Sequence, residues 1–124
     1  MNAQVPERMT HTLCSVDDLI PGSGVAALYG DQQIALFYLP HQVEIGEGEF
    51  RIFAIGNFDP ISQANVLSRG IAGDVSGEPV VASPIYKQHF SLVSGRCLED
   101  EQYSVPVYSV DIVDGVVILA ETCP

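Results

Sequence analysis

Residues 25–39 read VAALYGDQQIALFYL, and this stretch decides the fold class because two apolar runs flank a short turn. Val25–Tyr29 and Ile34–Leu39 are the runs, and Gly30-Asp31 lies between them. Apolar, β-rich runs separated by a Gly-containing turn are typical of a β-hairpin. The stretch therefore predicts two antiparallel strands.

The rest of the chain repeats this pattern of short apolar runs bounded by turn residues. No amphipathic segment of helical length interrupts them, and only Ser62–Leu67 is compatible with one short helical turn. Together these features predict an all-β fold, an antiparallel sandwich or barrel. The further predicted strands are Phe50–Ile55, Pro79–Ala82, His89–Leu92, and the pair Val105–Val113 and Val116–Ala120 around Asp114-Gly115.

The length of 124 residues is that of one domain. With 47% hydrophobic residues, the chain has enough apolar material for a core without metal or disulfide crosslinks. We expect a flexible N-terminal tail over residues 1–11, one domain over residues 12–121 and a C-terminal tail over residues 122–124.

The charge balance excludes two classes of partner. Five Lys and Arg face sixteen Asp and Glu, for a net charge of −11. Such a chain repels nucleic acid and anionic membrane surfaces, whereas it is attracted to a protein with a basic patch. A merely solvated acidic surface is the alternative interpretation. The sequence contains neither a membrane-spanning apolar window nor a signal-peptide pattern at residues 1–10, so we expect a cytoplasmic protein.

The sequence shows no motif for nucleotide binding, hydrolysis or metal binding. Gly22-Ser23-Gly24 precedes a strand pattern, whereas a dinucleotide fingerprint opens a helix. Cys14, Cys97 and Cys123 lack any CxxC spacing, which predicts free thiols in a reducing compartment. We therefore expect no catalytic residue on this chain.

Two loops carry a resemblance to a known fold family. Gly56–Gly70 follows a predicted strand, and Ala82–Arg96 contains Phe90-Ser91-Leu92 followed by Ser94-Gly95-Arg96. These segments resemble the two cluster-binding loops of Rieske iron-sulfur proteins, which carry Cys-x-His and Cys-x-x-His. The resemblance implies a Rieske-type antiparallel β-sandwich or barrel.

All four ligand positions of that motif are changed. By the resemblance, Asn57 and Asp59 occupy the first Cys and His positions, and Ser83 and Tyr86 occupy the second pair. A Rieske cluster needs two thiolates and two imidazoles, which these hard oxygen groups do not replace. The resemblance thus implies a Rieske fold that binds no cluster and no other metal or cofactor.

A narrower resemblance implies a function. Ala64–Gly70, Val81–Gln88, Glu99–Gln102 and Asp114–Val117 are similar to the small subunit of assimilatory NAD(P)H-dependent nitrite reductase, a family that keeps the Rieske fold without its cluster. It implies a large catalytic subunit that holds FAD, siroheme and an iron-sulfur cluster and reduces nitrite to ammonium. This chain would be its non-catalytic partner, inactive alone.

The former cluster loops are the expected docking surface. Leu67, Ser68 and Arg69 in the first loop and Lys87 and Gln88 in the second form the candidate interface. A structural ion pair is the alternative role for the two basic residues. Two other functions stay open at this stage: an electron-transfer protein with unorthodox ligands, and a free-standing protein-binding module.

Overall fold

A six-stranded antiparallel sheet forms the body of the molecule in the computed structural model, which describes residues 10–39 and 52–120. Its strands are β1 (Thr10–Ser15), β2 (Gly24–Tyr29), β3 (Gln32–Tyr38), β4 (Ile52–Gly56), β10 (Val107–Val113) and β11 (Val116–Ala120). The strand order is β1-β11-β10-β4-β3-β2, and the sheet curls until its edge strands β1 and β2 meet.

Two smaller sheets are inserted between β4 and β10, and they carry the two loops of interest. Their strands are β5 (Phe58–Asp59), β6 (Ala64–Asn65), β7 (Ile71–Val75), β8 (Glu78–Ala82) and β9 (His89–Ser91). One sheet pairs β5 with β6, and the other has the order β7-β8-β9.

Strand β3 shows why the central hairpin is so apolar. It pairs with β2 on one side and with β4 on the other. Because side chains alternate along a strand, Ala35 and Phe37 enter one core cluster while Ile34 and Leu36 enter the other. A strand buried on both faces needs a continuous apolar run, which is the pattern read from the sequence.

The two core clusters lie on opposite sides of this strand. One fills the interior of the curled sheet, and the other joins the large sheet to the inserted loops. The first contains Ala27, Ile34, Leu36, Ala54, Val117 and Leu119, and the second contains Ala35, Phe37, Leu39, Ile55, Leu67, Val81, Phe90, Leu92, Cys97 and Val105.

The predicted all-β architecture is confirmed, but its helical turns differ from the prediction. Residues 62–63 form a turn and Ala64–Asn65 is strand β6. The described residues contain two single-turn 3₁₀ helices where at most one was expected, at Val16–Asp18 and Leu67–Arg69. Ser15 caps the first by accepting a hydrogen bond from the Asp17 amide, which the sequence analysis did not anticipate.

Strand β1 includes Thr10 and His11, the last two residues of the expected N-terminal tail (residues 1–11), and their backbones pair with Ala120 and Leu119 of β11. Residues 1–9 of that tail and the expected C-terminal tail (residues 122–124), together with Phe50 and Arg51, lie outside the described residues. Cys14 and Cys97 are free cysteines, and the part of the chain that the structure describes has no helix long and apolar enough to cross a membrane.

Candidate functional site

The two loops that resemble cluster-binding loops meet through a buried hydrogen bond. The first loop (residues 57–70) follows β4, and the second loop (residues 83–88) joins β8 to β9. Ser83 donates its hydroxyl hydrogen to Oδ2 of Asp59 at 2.5 Å, across 24 residues of sequence. Both residues are buried, with 0% exposure for Asp59 and 1% for Ser83. Positions 59 and 83, which lie in different loops, are therefore in direct side-chain contact.

Asn57 anchors the start of the first loop. Its Nδ2 donates to Oε1 of Gln33 at 2.9 Å, and its Oδ1 accepts from the Ser68 amide at 2.6 Å. Its backbone carbonyl accepts from the Leu67 amide at 3.1 Å. The buried amide is thus used at both ends, and it ties the first loop to β3 and to its own C-terminal turn.

Asp59 uses its second carboxylate oxygen to shape the loop after β5. Oδ1 accepts from the amide of Ile61 at 2.9 Å, and the backbone carbonyl accepts from Gln63 at 2.7 Å. Burial by itself raises the pKa of this carboxyl, but the hydrogen bonds from Ser83 and from the Ile61 amide outweigh burial and lower it below its ordinary value. Asp59 is therefore held as a carboxylate.

The second loop is closed on itself, and Tyr86 stands apart from the other three positions. Ser83 donates its amide to the Gln88 carbonyl at 2.9 Å and accepts at its own carbonyl from Lys87 at 3.1 Å. Lys87 takes a left-handed backbone with φ of 69°. Tyr86 is 58% exposed at the tip of this turn. The structure brings Asn57, Asp59 and Ser83 into the interior and leaves Tyr86 at the surface.

The residues present do not fit a [2Fe-2S] cluster of the Rieske type. The four positions supply an amide, a carboxylate, a hydroxyl and a phenol in place of two thiolates and two imidazoles. Oxygen atoms of Asn57, Asp59 and Ser83 already bind protein donors, and the Asp59–Ser83 bond joins two former ligand positions directly. Among residues 10–39 and 52–120, no group of three or more His, Cys, Asp and Glu is placed to hold a metal.

A second polar cluster lies where the second loop enters β9. His89 Nδ1 lies 2.6 Å from Oε2 of Glu99, and the His89 amide donates to Oε1 of Glu99 at 2.8 Å. Despite the opposing effect of burial, these contacts lower the pKa of Glu99. The pair fixes the end of the second loop against the segment after Cys97, which is a structural role.

Comparisons with known proteins identify the family of this chain. A model of the Rieske-like [2Fe-2S] domain family matches residues 10–120. The "Nitrite reductase (NADH) small subunit" of Salmonella typhimurium is 47% identical over 107 residues, which cover 86% of this chain and 93% of the relative. The chain belongs to the nitrite reductase small-subunit family, within the Rieske-like domains.

Other matches bear on the fold and on the family. The NMR structure of the Escherichia coli protein NirD is 43% identical, with a TM-score of 0.75 over 93% of this chain and 100% of that one. A "Nitrite reductase [NAD(P)H] large subunit" of Klebsiella oxytoca is 38% identical over 111 residues, which are 90% of this chain and 11% of that protein. A Nocardioides aromaticivorans ferredoxin of carbazole dioxygenase, at 17% identity and TM-score 0.71, shares the fold.

The structure limits the candidate interface proposed for this small-subunit family member. Leu67 is fully buried in the core, so its side chain offers no surface to a partner. Ser68 and Gln88 are half-buried, while Arg69 and Lys87 are exposed. The ion pairs found in the described parts of the chain are His89–Glu99 and Arg96–Glu101, and neither includes Arg69 or Lys87.

Sequence reasoning missed several residues that build the site. Gln33 holds Asn57 from β3, and its only sequence signal is a polar residue inside an apolar hairpin. Leu28 and Phe58 are 70% and 47% exposed, although both are large apolar side chains that lie in strands. Exposure of such side chains depends on the tertiary arrangement, which local pattern does not determine.

Proposed function

We propose that this chain is the non-catalytic small subunit of an NAD(P)H-dependent nitrite reductase, an oxidoreductase that reduces nitrite to ammonium in nitrate assimilation. The observation that carries the proposal is the 47% identity to the Salmonella small subunit over 93% of that relative's length. Agreement over nearly a whole chain supports the same role in the same kind of complex.

The large catalytic subunit is the partner. In Klebsiella oxytoca, a protein named as the large subunit contains a segment homologous to 90% of this chain. A domain that occurs fused to the large subunit in one organism and as a separate chain in another is expected to act beside that subunit in both. In the proposed complex, the large subunit carries FAD, siroheme and an iron-sulfur cluster, since reduction of nitrite needs redox cofactors.

This chain contributes no redox centre of its own under the proposal. Three of the four positions assigned to ligands, Asn57, Asp59 and Ser83, carry oxygen groups that are occupied by internal hydrogen bonds. The isolated chain is therefore inactive in electron transfer and in nitrite reduction. A cytoplasmic location agrees with the free thiols of Cys14 and Cys97.

The former cluster loops serve as a docking surface rather than a redox site. The Asp59–Ser83 bond and the contacts of Asn57 hold both loops in one arrangement. Exposed Arg69 and Lys87, with half-buried Ser68 and Gln88, are presented on this rigid base. Ordered loops lose less conformational entropy when they bind, which favours association.

Reconstitution with the large subunit tests the proposal. The two chains are mixed, separated by size-exclusion chromatography and assayed for nitrite-dependent NAD(P)H oxidation. We expect co-elution, and faster or longer-lived turnover than with the large subunit alone. Full turnover by a large subunit that never binds this chain would refute the role.

Charge reversal at the loops tests the docking surface separately. We expect Arg69→Glu combined with Lys87→Glu to weaken co-elution, because both cations are exposed on the proposed interface. Arg96→Glu is the control, since Arg96 is also exposed but lies beyond β9, where its backbone pairs with Ser104. Equal loss of binding in the control and in the double variant would refute a specific role for the loops.

A further inference from the structure

A groove of about 430 Å³ lies beside the first loop, on a surface separate from Ser68, Arg69, Lys87 and Gln88. It opens between the β2–β3 turn, the start of the first loop and the segment that leads into β10. Its lining comes from three parts of the chain: Leu28, Asp31, Gln32 and Gln33; Gly56, Asn57, Phe58, Pro60 and Asn65; and Ser104, Val105, Pro106 and Tyr108.

Phe58 is fixed on one wall of the groove by its two neighbours. Asn57 and Asp59 are buried and hydrogen-bonded on either side of it, so their side chains point into the protein. Because side chains alternate along a strand, the residue between them is directed outward, and Phe58 is 47% exposed. The two former ligand positions thus present an aromatic ring on a rigid backbone.

The facing walls combine exposed apolar side chains with polar ones. Leu28 is 70% exposed on the edge strand β2, and Pro106 is exposed before β10. Tyr108 donates its hydroxyl to Oε1 of Gln32 at 3.2 Å and packs edge-on against Tyr29. Exposed apolar side chains grouped around a preformed groove are typical of a protein-docking site.

The charge at the groove indicates the chemistry of the occupant. Asp31 is the charged residue of the lining, it is exposed, and the lining contains no basic residue. The whole chain carries −11. A cationic segment is therefore attracted, whereas a small anion such as nitrite and a second copy of this acidic chain are repelled.

We propose that the groove receives a segment of the large subunit, which inserts an apolar or aromatic side chain between Leu28 and Phe58 and places an adjacent Lys or Arg near Asp31. This inference rests on the proposed function and adds a second contact beside the loops. A small metabolite fits less well, because the buried amide of Asn57 on the inner wall is already paired with Gln33 and Ser68.

Affinity measurements on variants test the groove. Binding of wild type, Leu28→Ser and Phe58→Ser to the purified large subunit is measured by calorimetry or biolayer interferometry. Both side chains are solvent-exposed on different elements, so the two variants are expected to fold, which far-UV circular dichroism checks. We expect each to raise Kd by roughly ten-fold or more, as for buried apolar anchors at interfaces. Asp31→Lys should also raise Kd.

The matched control is Ile71→Ser, which removes a more exposed apolar side chain, 78% exposed on β7, outside the groove. We expect its Kd to stay near that of wild type. If the wild-type chain binds the large subunit and the groove variants bind equally well, the groove is not a docking site, whereas the proposed function stands. If wild type does not bind at all, both are refuted. A dimer of this chain that Leu28→Ser dissociates would refute the choice of partner.

Discussion

At the scale of single residues, the candidate site is a network of buried hydrogen bonds. Asp59 and Ser83 occupy positions that bind iron in Rieske proteins by the resemblance, and here they bind each other. Asn57 adds bonds to Gln33 and to the Ser68 amide. The side chains of Asn57, Asp59 and Ser83 are buried and hydrogen-bonded, so removing any one of them leaves a partner unsatisfied.

Removal of the Ser83 hydroxyl should destabilise the fold. We expect Ser83→Ala to lower the free energy of unfolding by about 1–3 kcal/mol, because a buried carboxylate loses its donor. Urea unfolding monitored by circular dichroism measures this. Ser109→Ala, at an exposed position of β10, is the control and should change stability by less than about 0.5 kcal/mol. Equal stability of Ser83→Ala and wild type would show that the bond contributes nothing.

The depressed pKa of Asp59 gives stability a pH dependence of known sign. The folded state favours the carboxylate, so its contribution is complete above the unfolded carboxyl value of about 4 and is lost as the pH falls through the lower folded value. We expect Asp59→Asn to be less stable than wild type at neutral pH and to lose less stability between neutral and acidic pH. Melting temperatures across this range measure the effect, and parallel profiles would contradict it.

At the scale of elements, the sequence predicts strands with apolar, β-branched runs and misses strands that are held mainly by pairing with a neighbouring strand. The β2–β3 and β10–β11 hairpins are local and apolar, and both are confirmed. Strand β7, with sequence IAGDV, contains Gly and Asp and is largely exposed, so its propensity is low and it forms through pairing with β8. Strand β1 likewise pairs with β11 at the far end of the chain.

The junction of the first loop with β7 needs a glycine for packing. A Cβ at Gly70 would overlap the Ala82 carbonyl oxygen at the end of β8 and lie 2.8 Å from Val81 Cγ2. We expect Gly70→Ala to lower stability by roughly 1–3 kcal/mol, as overpacking does. Gly73→Ala is the control, because a Cβ added at Gly73 in β7 would meet nothing within 4 Å. Thermal unfolding compares them, and equal melting temperatures would contradict the close packing at this junction.

At the scale of the whole molecule, the candidate site is predictable only in part. Positions 57, 59 and 83 were assigned because the loop motif places them; all three side chains are buried, and those of Asp59 and Ser83 are in direct contact. Tyr86 was assigned by the same spacing, yet it lies at the surface because the second loop closes between Ser83 and Gln88. The groove was not predicted, since its walls come from segments that are distant in sequence.

The acidic charge of the molecule should govern how quickly it meets its partner. With −11 charges, association with the cationic segment proposed for the groove is accelerated electrostatically at low ionic strength and screened by salt. We expect the association rate with the large subunit to fall when NaCl rises from about 50 to 300 mM, while the dissociation rate changes less. Stopped-flow or surface kinetics measure both. A salt-independent association rate would contradict electrostatic steering.

We propose that this Rieske-like fold works without its cluster. The most direct test of this proposal is to measure the iron content of the isolated chain, purified without oxygen from iron-supplied cells, and to record a visible absorption spectrum of the same sample. We expect colourless protein without stoichiometric iron. The [2Fe-2S] family holds two irons per chain. Finding two irons per chain and a visible spectrum here would contradict the proposal and would mean that the two loops form a redox site.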